Sequence, residues 1–330
     1  MQSAKKNFQV QQWITFLSVI LFATKIIAYY LTHSLAILSD ALESIVNVLA
    51  GFIGLYSLYV ASKPRDNEHP YGHGKAEFIS AAAEGALIIS AGFFILYETV
   101  ENFINQSPLE KIDTGILIVA ITALVNFVAG IICKRTGVKN NSVALQASGK
   151  HLIIDTYSTL IIIAALIIMY FTHLLWLDKT VALLMSVVIM YNGYKIIRSS
   201  LAGIMDEADK ELLLHLIKWL NQNRRDNWID LHNLRVIKYG NVLHIDCHLT
   251  VPWYLNVKEA HAEVEALAAL IKKQFGDAIE MFVHSDACMD FSCSICVKEN
   301  CTVRQNPFIK KIEWNLENVI RDRKHSIETL

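Results

Sequence analysis

Charge is scarce in this chain: Asp, Glu, Lys and Arg make up 18% of its 330 residues, while 53% are apolar. Soluble globular domains carry roughly 25% charged residues, so membrane-spanning segments are the first expectation. Basic charge is not in excess either. The net charge is −1, which argues against nucleic acid as a partner. A cleavable leader is not expected, because Met1–Gln12 is polar, carries Lys5 and Lys6, and runs into an apolar stretch long enough to span. His-Glu-x-x-His is missing, and with it the arrangement of base and ligands that an intramembrane metalloprotease would need.

What the chain has in abundance is long apolar runs. They lie at roughly 12–32, 35–61, 78–103, 113–133, 144–171 and 179–198, each about 20 residues or more and able to cross a core of about 30 Å. The first two meet at Thr32–Ser34, which predicts a helical hairpin. Lys5, Lys6, Lys63, Arg65, Lys75, Lys134, Arg135, Lys139, Lys195 and Arg198 fall on one side of the six spans, and the opposite loops offer Lys111 and Lys179 beside acids. The Lys/Arg bias of short loops then puts both termini in the cytoplasm of a multi-pass protein of the cell membrane. Beyond about Gly203–Asp209 the sequence turns charged and mixed. The expected organisation is a membrane domain over 1–203, an α+β domain over 204–287 and a cysteine-rich tail over 288–330.

Ionisable groups inside a bilayer are costly and normally face the bundle interior or a water-filled path. The second run carries Asp40, Glu43 and Asn47 at i, i+3, i+7, which share one helical face. The fifth carries His151 and Asp155 at i, i+4. Glu43, Asn47, His151 and Asp155 together offer two carboxylates, an imidazole and an amide oxygen. Two carboxylates balance a divalent cation, and such an N/O set suits zinc or a neighbouring first-row metal. Asp40 is an accessory candidate at the membrane edge. Glu84 in the third run is open between metal or proton handling and an ion pair with Lys25.

The loop from Asp66 to Glu77 reads DNEHPYGHGKAE. Asp66, His69 and His73 form a compact ligand cluster there, and Gly72 and Gly74 let the backbone turn tightly around it. Beyond the spans the pattern predicts a helix (about 207–222), strands at 231–238 and 241–251, a helix (256–274) and a strand at 279–284, with a hairpin turn at Tyr239–Asn241. Val242, His244, Asp246, His248 and Thr250 alternate with Leu243, Ile245, Cys247 and Leu249, as in a strand with one buried face. Four of the six cysteines, Cys288, Cys293, Cys296 and Cys301, are spaced C-x4-C-x2-C-x4-C. In a reducing cytoplasm they read as a four-sulfur zinc site, with an iron–sulfur cluster, metal delivery or redox sensing as alternatives. A charged amphipathic helix is expected over 308–325.

Three stretches carry a family resemblance: SLAILSDAL from Ser34, HPYGHGKAE from His69, and His151-x-x-x-Asp155. On these the chain resembles the cation diffusion facilitator family of divalent-metal/proton antiporters, up to about Cys288. The resemblance implies a six-helix membrane bundle followed by a small metallochaperone-like α-β-β-α-β cytosolic domain through which the protein forms a homodimer. It implies a transporter and not an enzyme, with divalent metal ions and protons as partners. It places the transport site on Glu43, Asn47, His151 and Asp155, where Glu43 and Asn47 depart from the family's usual His or Asp followed by Asp. Zinc is then the leading cargo, with iron, manganese, cobalt or nickel open. The resemblance also implies a loop metal at Asp66, His69 and His73, and regulatory metal among His232, His248, His261, His284 and Asp286. An interdomain link maps onto Lys75 and Asp206, with Glu207 and Asp209 as alternatives. The competing expectation is a membrane metal sensor, whose bundle would need no buried ligands.

Overall fold

The computed structural model describes residues 2–61, 63–104, 111–139, 143–172, 174, 176–239, 242–276 and 278–327. It divides into two compact units, Met1–Val60 with Ala76–Leu201, and Ala61–Lys75 with Ala202–Leu330.

All six apolar runs are helical: α1 (Gln2–Thr32), α2 (Leu35–Ala61), α3 (Ala76–Ile104), α4 (Ile112–Lys139), α5 (Val143–Thr172) and α6 (Trp176–Ile204). Each is long and apolar enough to cross a membrane. The hairpin between α1 and α2 turns at His33, with a φ of 52°. The first N–H groups of α2 have no partner within the helix, and Asp178 at the start of α6 supplies one. Its carboxylate accepts from Ser34 Oγ (2.5 Å), Leu35 N (2.8 Å) and Ala36 N (3.3 Å), a placement that the α2 dipole also favours. Small residues let other helices close. A side chain at Gly149 of α5 would stand 2.8 Å from the Gly130 carbonyl of α4, and one at Gly193 of α6 would stand 2.8 Å from the Gly85 carbonyl of α3. Ile37, Val119, Ile162 and Leu166 pack into one apolar cluster, and Leu35, Ile88, Ile95 and Ile189 into another. Phe93, Phe94, Leu124, Ile161 and Phe171 stay exposed, as side chains that face lipid would.

The second unit follows the expected α-β-β-α-β order: α7 (Lys210–Gln222), β1 (Asp230–Tyr239), β2 (Val242–Val251), α8 (Val257–Phe275) and β3 (Ile279–Ala287). β1 pairs antiparallel with β2, and β2 pairs parallel with β3. The register pairs Tyr239 with Val242; Gly240 and Asn241 of the expected hairpin turn lie outside the described residues. The core joins Leu213, Leu216 and Leu220 of α7, Ile245, Cys247 and Leu249 of β2, and Leu267 and Ile271 of α8. The alternation along β2 therefore holds on its inner face. The outer face is not all solvated as the pattern predicts, because His244 and Thr250 are buried. The rings of Tyr71 and Tyr239 cover His244, with centroids 5.6 and 5.0 Å away. Each helix of this unit begins on a capping side chain: Asp209 accepts from Leu212 N at the start of α7, and Asn256 and Glu259 form a reciprocal box at the start of α8.

The long helix expected over 308–325 does not form. Only α9 (Leu316–Val319) is helical there. The amphipathic spacing is overridden by polar clips that take up backbone groups of the segment. Asn221 donates to the Trp314 carbonyl (2.6 Å) and accepts from Trp314 N (3.1 Å), while Arg224 donates to the Ile312 carbonyl (2.7 Å). Trp314 and Ile312 are thereby sunk into the domain.

Asp209 caps α7 and pairs with Lys238. The Leu212 N–H, followed by Lys238, holds its carboxyl below the usual range. A lowered folded-state pKa stabilises above the unfolded value, and the gain is lost as pH falls through the folded one. Asp209→Ala is therefore expected to weaken α7 by about 1 kcal/mol at neutral pH, read by hydrogen exchange in α7. The gap to wild type should close in acid.

Candidate metal centres

The intramembrane site rests on facing segments of α2 and α5. Asn47 bridges them: its amide nitrogen donates to Asp155 Oδ2, and its Oδ1 lies 2.8 Å from His151 Nε2. His151 Nε2 stands 3.7 Å from Asp155 Oδ1. Glu43, one turn before Asn47, is near enough for its carboxyl to interact with that of Asp155. Glu43, Asn47, His151 and Asp155 are thus gathered in one place. Asp155 is 3% exposed, and among the described residues no hydrogen bond reaches its Oδ1. A buried carboxylate oxygen without a donor is costly and is a ready ligand for a cation. A cavity of about 430 Å³ reaches Asn47 and His151, lined also by Gln11, Ser57, Glu77, Glu84 and Ser148. Those residues mark the end of the bundle where α3 and α5 begin and α2 finishes.

Asp40 has a different partner. It forms a 2.8 Å ion pair with Lys25 of α1, both about 1% exposed. The ion pair offered to Glu84 by the sequence therefore belongs to Asp40, and Glu84 instead lines the cavity beside His151. Thr159 Oγ1 lies 2.7 Å from Asp40 Oδ1 and 2.9 Å from the Asp155 carbonyl. The buried pair is thereby tied to the α5 turn that carries the site.

In the second unit, two sets bring three ligand atoms within 4.8 Å of one another: Asp66, His69 and His73, and His232, His248 and Asp286. In the first, Asp66 Oδ1 lies 3.1 Å from His69 Nδ1 and Asp66 Oδ2 lies 3.4 Å from His73 Nε2. The His69 backbone N–H holds the Asp66 carboxyl below its ordinary range. Gly72, at φ 92°, makes the turn between the histidines. Lys75 Nζ pairs with Asp206 at 2.9 Å in the same unit.

In the second set, Asp286 Oδ2 lies 3.4 Å from His232 Nε2 and 3.3 Å from His248 Nδ1. His284 flanks it, with its ring centroid 4.8 Å from that of His248. His261 is not brought in; it is exposed on α8 and pairs with Glu265 at 3.5 Å. Sequence reasoning missed three neighbours. Asp230 Oδ2 stands 3.2 Å from His232 Nδ1, His325 Nδ1 stands 2.5 Å from Asp230 Oδ1, and Lys324 Nζ lies 3.4 Å from Asp286 Oδ1. Carboxylate partners of this kind fix the orientation of an imidazole ligand. Burial alone would raise the Asp230 carboxyl, but bonds from His232 and His325 hold it far below the usual range. Burial alone would lower the His325 imidazole, and Asp230 raises it instead. Asp230 could have been read from its i, i+2 spacing to His232 on one strand face; nothing in the sequence brings His325 there.

The tail cysteines are free thiols. Burial, and then the nearness of Cys293, Cys296 and Cys301, pushes the Cys288 thiol up.

A family described as the cation efflux transmembrane domain matches residues 13–205, and one described as the cation efflux protein, cytoplasmic domain, matches 217–288. The chain is 34% identical over 251 residues to an uncharacterized transporter of Synechocystis sp., covering 76% of this chain and 81% of that one. It is 27% identical over 266 residues to the cation-efflux pump FieF of Shewanella oneidensis, covering 81% and 89%. To metal tolerance protein C1 of Arabidopsis thaliana it is 28% identical over 313 residues, covering 89% and 66%.

Removing one partner of the Lys25–Asp40 pair leaves a buried charge alone. Asp40→Ala is expected to destabilise the bundle by about 3–5 kcal/mol, measured by unfolding in detergent. Replacing both, Lys25→Met with Asp40→Leu, should recover most of the loss.

Proposed function

The chain belongs to the cation diffusion facilitator family of cation efflux transporters, and we propose that its cargo is a divalent transition metal, zinc first, exchanged for protons. It is a transporter and not an enzyme. The observation that carries the proposal is the gathering of Glu43, Asn47, His151 and Asp155 around a buried carboxylate oxygen, Asp155 Oδ1, that no hydrogen bond reaches among the described residues, beside a cavity.

Glu43 and Asp155 supply two negative charges, His151 an imidazole nitrogen and Asn47 a neutral amide oxygen. The carboxylates offset the charge of a divalent ion in a medium that penalises net charge, and the N/O set suits zinc and its neighbours, iron, manganese, cobalt and nickel. Asn47 Oδ1 faces His151 Nε2 at 2.8 Å, so that contact requires a proton on Nε2. An imidazole binds metal only in its neutral form, through a nitrogen that carries no proton. On an imidazolium, protonated at both nitrogens, a metal that takes Nε2 releases that proton, and a proton that returns there displaces the metal. This exclusion couples the two fluxes. In the sequence, Lys5, Lys63, Arg65, Lys75 and Arg135 lie in or next to the helix ends that the cavity lining marks. The Lys/Arg bias supports a cytoplasmic assignment for that end and for both termini, so the cavity would load from the cytoplasm.

Outside the membrane, Asp66, His69 and His73, and His232, His248 and Asp286 with His284 beside them, would hold cytosolic metal and report its level. The match to the family's cytoplasmic domain supports a homodimer assembled through that domain.

The test is zinc flux into proteoliposomes with a metal-sensitive dye. His151→Ala and Asp155→Ala are each expected to lose zinc flux while remaining folded and monodisperse in detergent; undiminished flux in both would refute the site. Asn47→Asp restores a third carboxylate and is expected to tighten zinc binding on the order of tenfold.

A further inference from the structure

The four cysteines of the tail play no part in transport as proposed above, and they share one neighbourhood. Cys288 directly follows β3, and its backbone N–H extends the sheet by donating to the Val251 carbonyl at 2.9 Å. Cys293 lies in the 3-10 turn Asp290–Ser294, Cys296 follows it, and Cys301 closes the next turn. Each of the other three acts electrostatically on Cys288. Tyr254, just after β2, lies against Cys301 and feels Cys296 and Cys288 as well.

Donor groups and positive charge surround the four cysteines. Backbone N–H groups point at two of the sulfurs, Trp253 N at Cys288 Sγ (3.4 Å) and Gln305 N at Cys293 Sγ (3.5 Å). The Arg304 guanidinium gathers the loop by donating to the carbonyls of Cys293 (2.8 Å), Cys296 (3.0 Å) and Lys298 (2.7 Å). Arg224 adds a second positive charge that acts on Cys296. Four thiolates around a divalent ion carry a net charge of −2, and these two guanidiniums offset it.

The cysteine loop, residues 288–301, also has little apolar core of its own. Beneath the cysteine loop the buried cluster is Ile229, Ile295, Cys296 and Ile312, with Cys288 and Ile327 packed against it. Small lobes with cores of this size are usually stapled by a disulfide or a structural metal, and all four cysteines are free thiols. We propose that Cys288, Cys293, Cys296 and Cys301 form a closed four-thiolate site for one divalent ion of the zinc class. That ion fixes the C-terminal lobe on the end of the sheet. The sulfurs stand further apart than the ligand atoms of the two histidine–aspartate sets, so the loop draws inward as the metal binds. Thiolate sulfur distinguishes this site from the N/O sites elsewhere in the chain, and the proposal stands whatever the bundle transports.

The experiment uses the full-length protein in detergent, reduced and stripped with chelator, and alkylated with iodoacetamide with and without saturating zinc. Labelling is read peptide by peptide. All four tail cysteines are expected to react at least tenfold more slowly with zinc, together, while the buried Cys133 and Cys247 do not change. Cobalt(II) in place of zinc should give thiolate-to-metal charge-transfer absorption that is lost when all four cysteines are replaced by Ser. If that variant does not fold, alkylation of the wild-type chain still decides. Protection of fewer than four thiols, no protection, or an iron–sulfur chromophore in the isolated protein would overturn the proposal.

Discussion

Lys25 and Asp40 meet at 2.8 Å where almost no solvent reaches them. In a bilayer neither charge is tolerable alone, so α1 and α2 must sit where the two can touch. Thr159 lies between the Asp40 carboxylate and the Asp155 carbonyl and extends the constraint to α5. The chain of contacts ends one turn from the proposed site: Asp40 fixes the face of α2 that presents Glu43 and Asn47, and Thr159 fixes the turn of α5 that presents His151 and Asp155. A site whose ligands come from two helices depends on such a lock, because a rotation of either helix would carry its ligands out of reach. Asp178 does similar work just before Asp40, where its carboxylate closes the N-terminus of α2.

Much of this was legible in the sequence. Six runs of membrane-spanning length gave six helices, because an apolar run of that length leaves the backbone few other ways to satisfy its polar groups in lipid. Period-2 alternation in 242–251 gave a strand, and the i, i+4 spacings put Glu43 with Asn47 and His151 with Asp155 on shared faces. The failures share one cause, which is pairing between residues far apart in the chain. Lys25 could have met Glu84 or Asp40, and only the packing chooses. The spacing in 308–325 fits a helix, but Asn221 and Arg224 take up backbone carbonyls of that segment. His261 resembles the other histidines in sequence and sits on the wrong element to join them. Asp230 and His325 are 95 residues apart and pair directly.

Asn47, where the family resemblance implies a carboxylate, has a consequence for the proposed exchange. A third carboxylate would leave the metal-free site more negative, and a proton or a metal would then be held more tightly. With Asn47, the amide ties Asp155 and His151 together through its own donor and acceptor. A metal that takes Asp155 and His151 must break those bonds. Weaker holding favours release, which suits a transporter better than a store. The sites proposed outside the membrane have no such constraint: thiolates at the tail would hold zinc as a structural part, and the histidine–aspartate sets stand on rigid strand and turn positions.

The central claim is that metal and proton exclude one another at His151 and Asp155. It is tested most directly by imposing a proton gradient across proteoliposomes that contain equal zinc on both sides. The account predicts that zinc moves uphill, against the direction of proton flow, and that the movement stops when the gradient is collapsed. Zinc that equilibrates at the same rate with and without the gradient, and never accumulates, would contradict it.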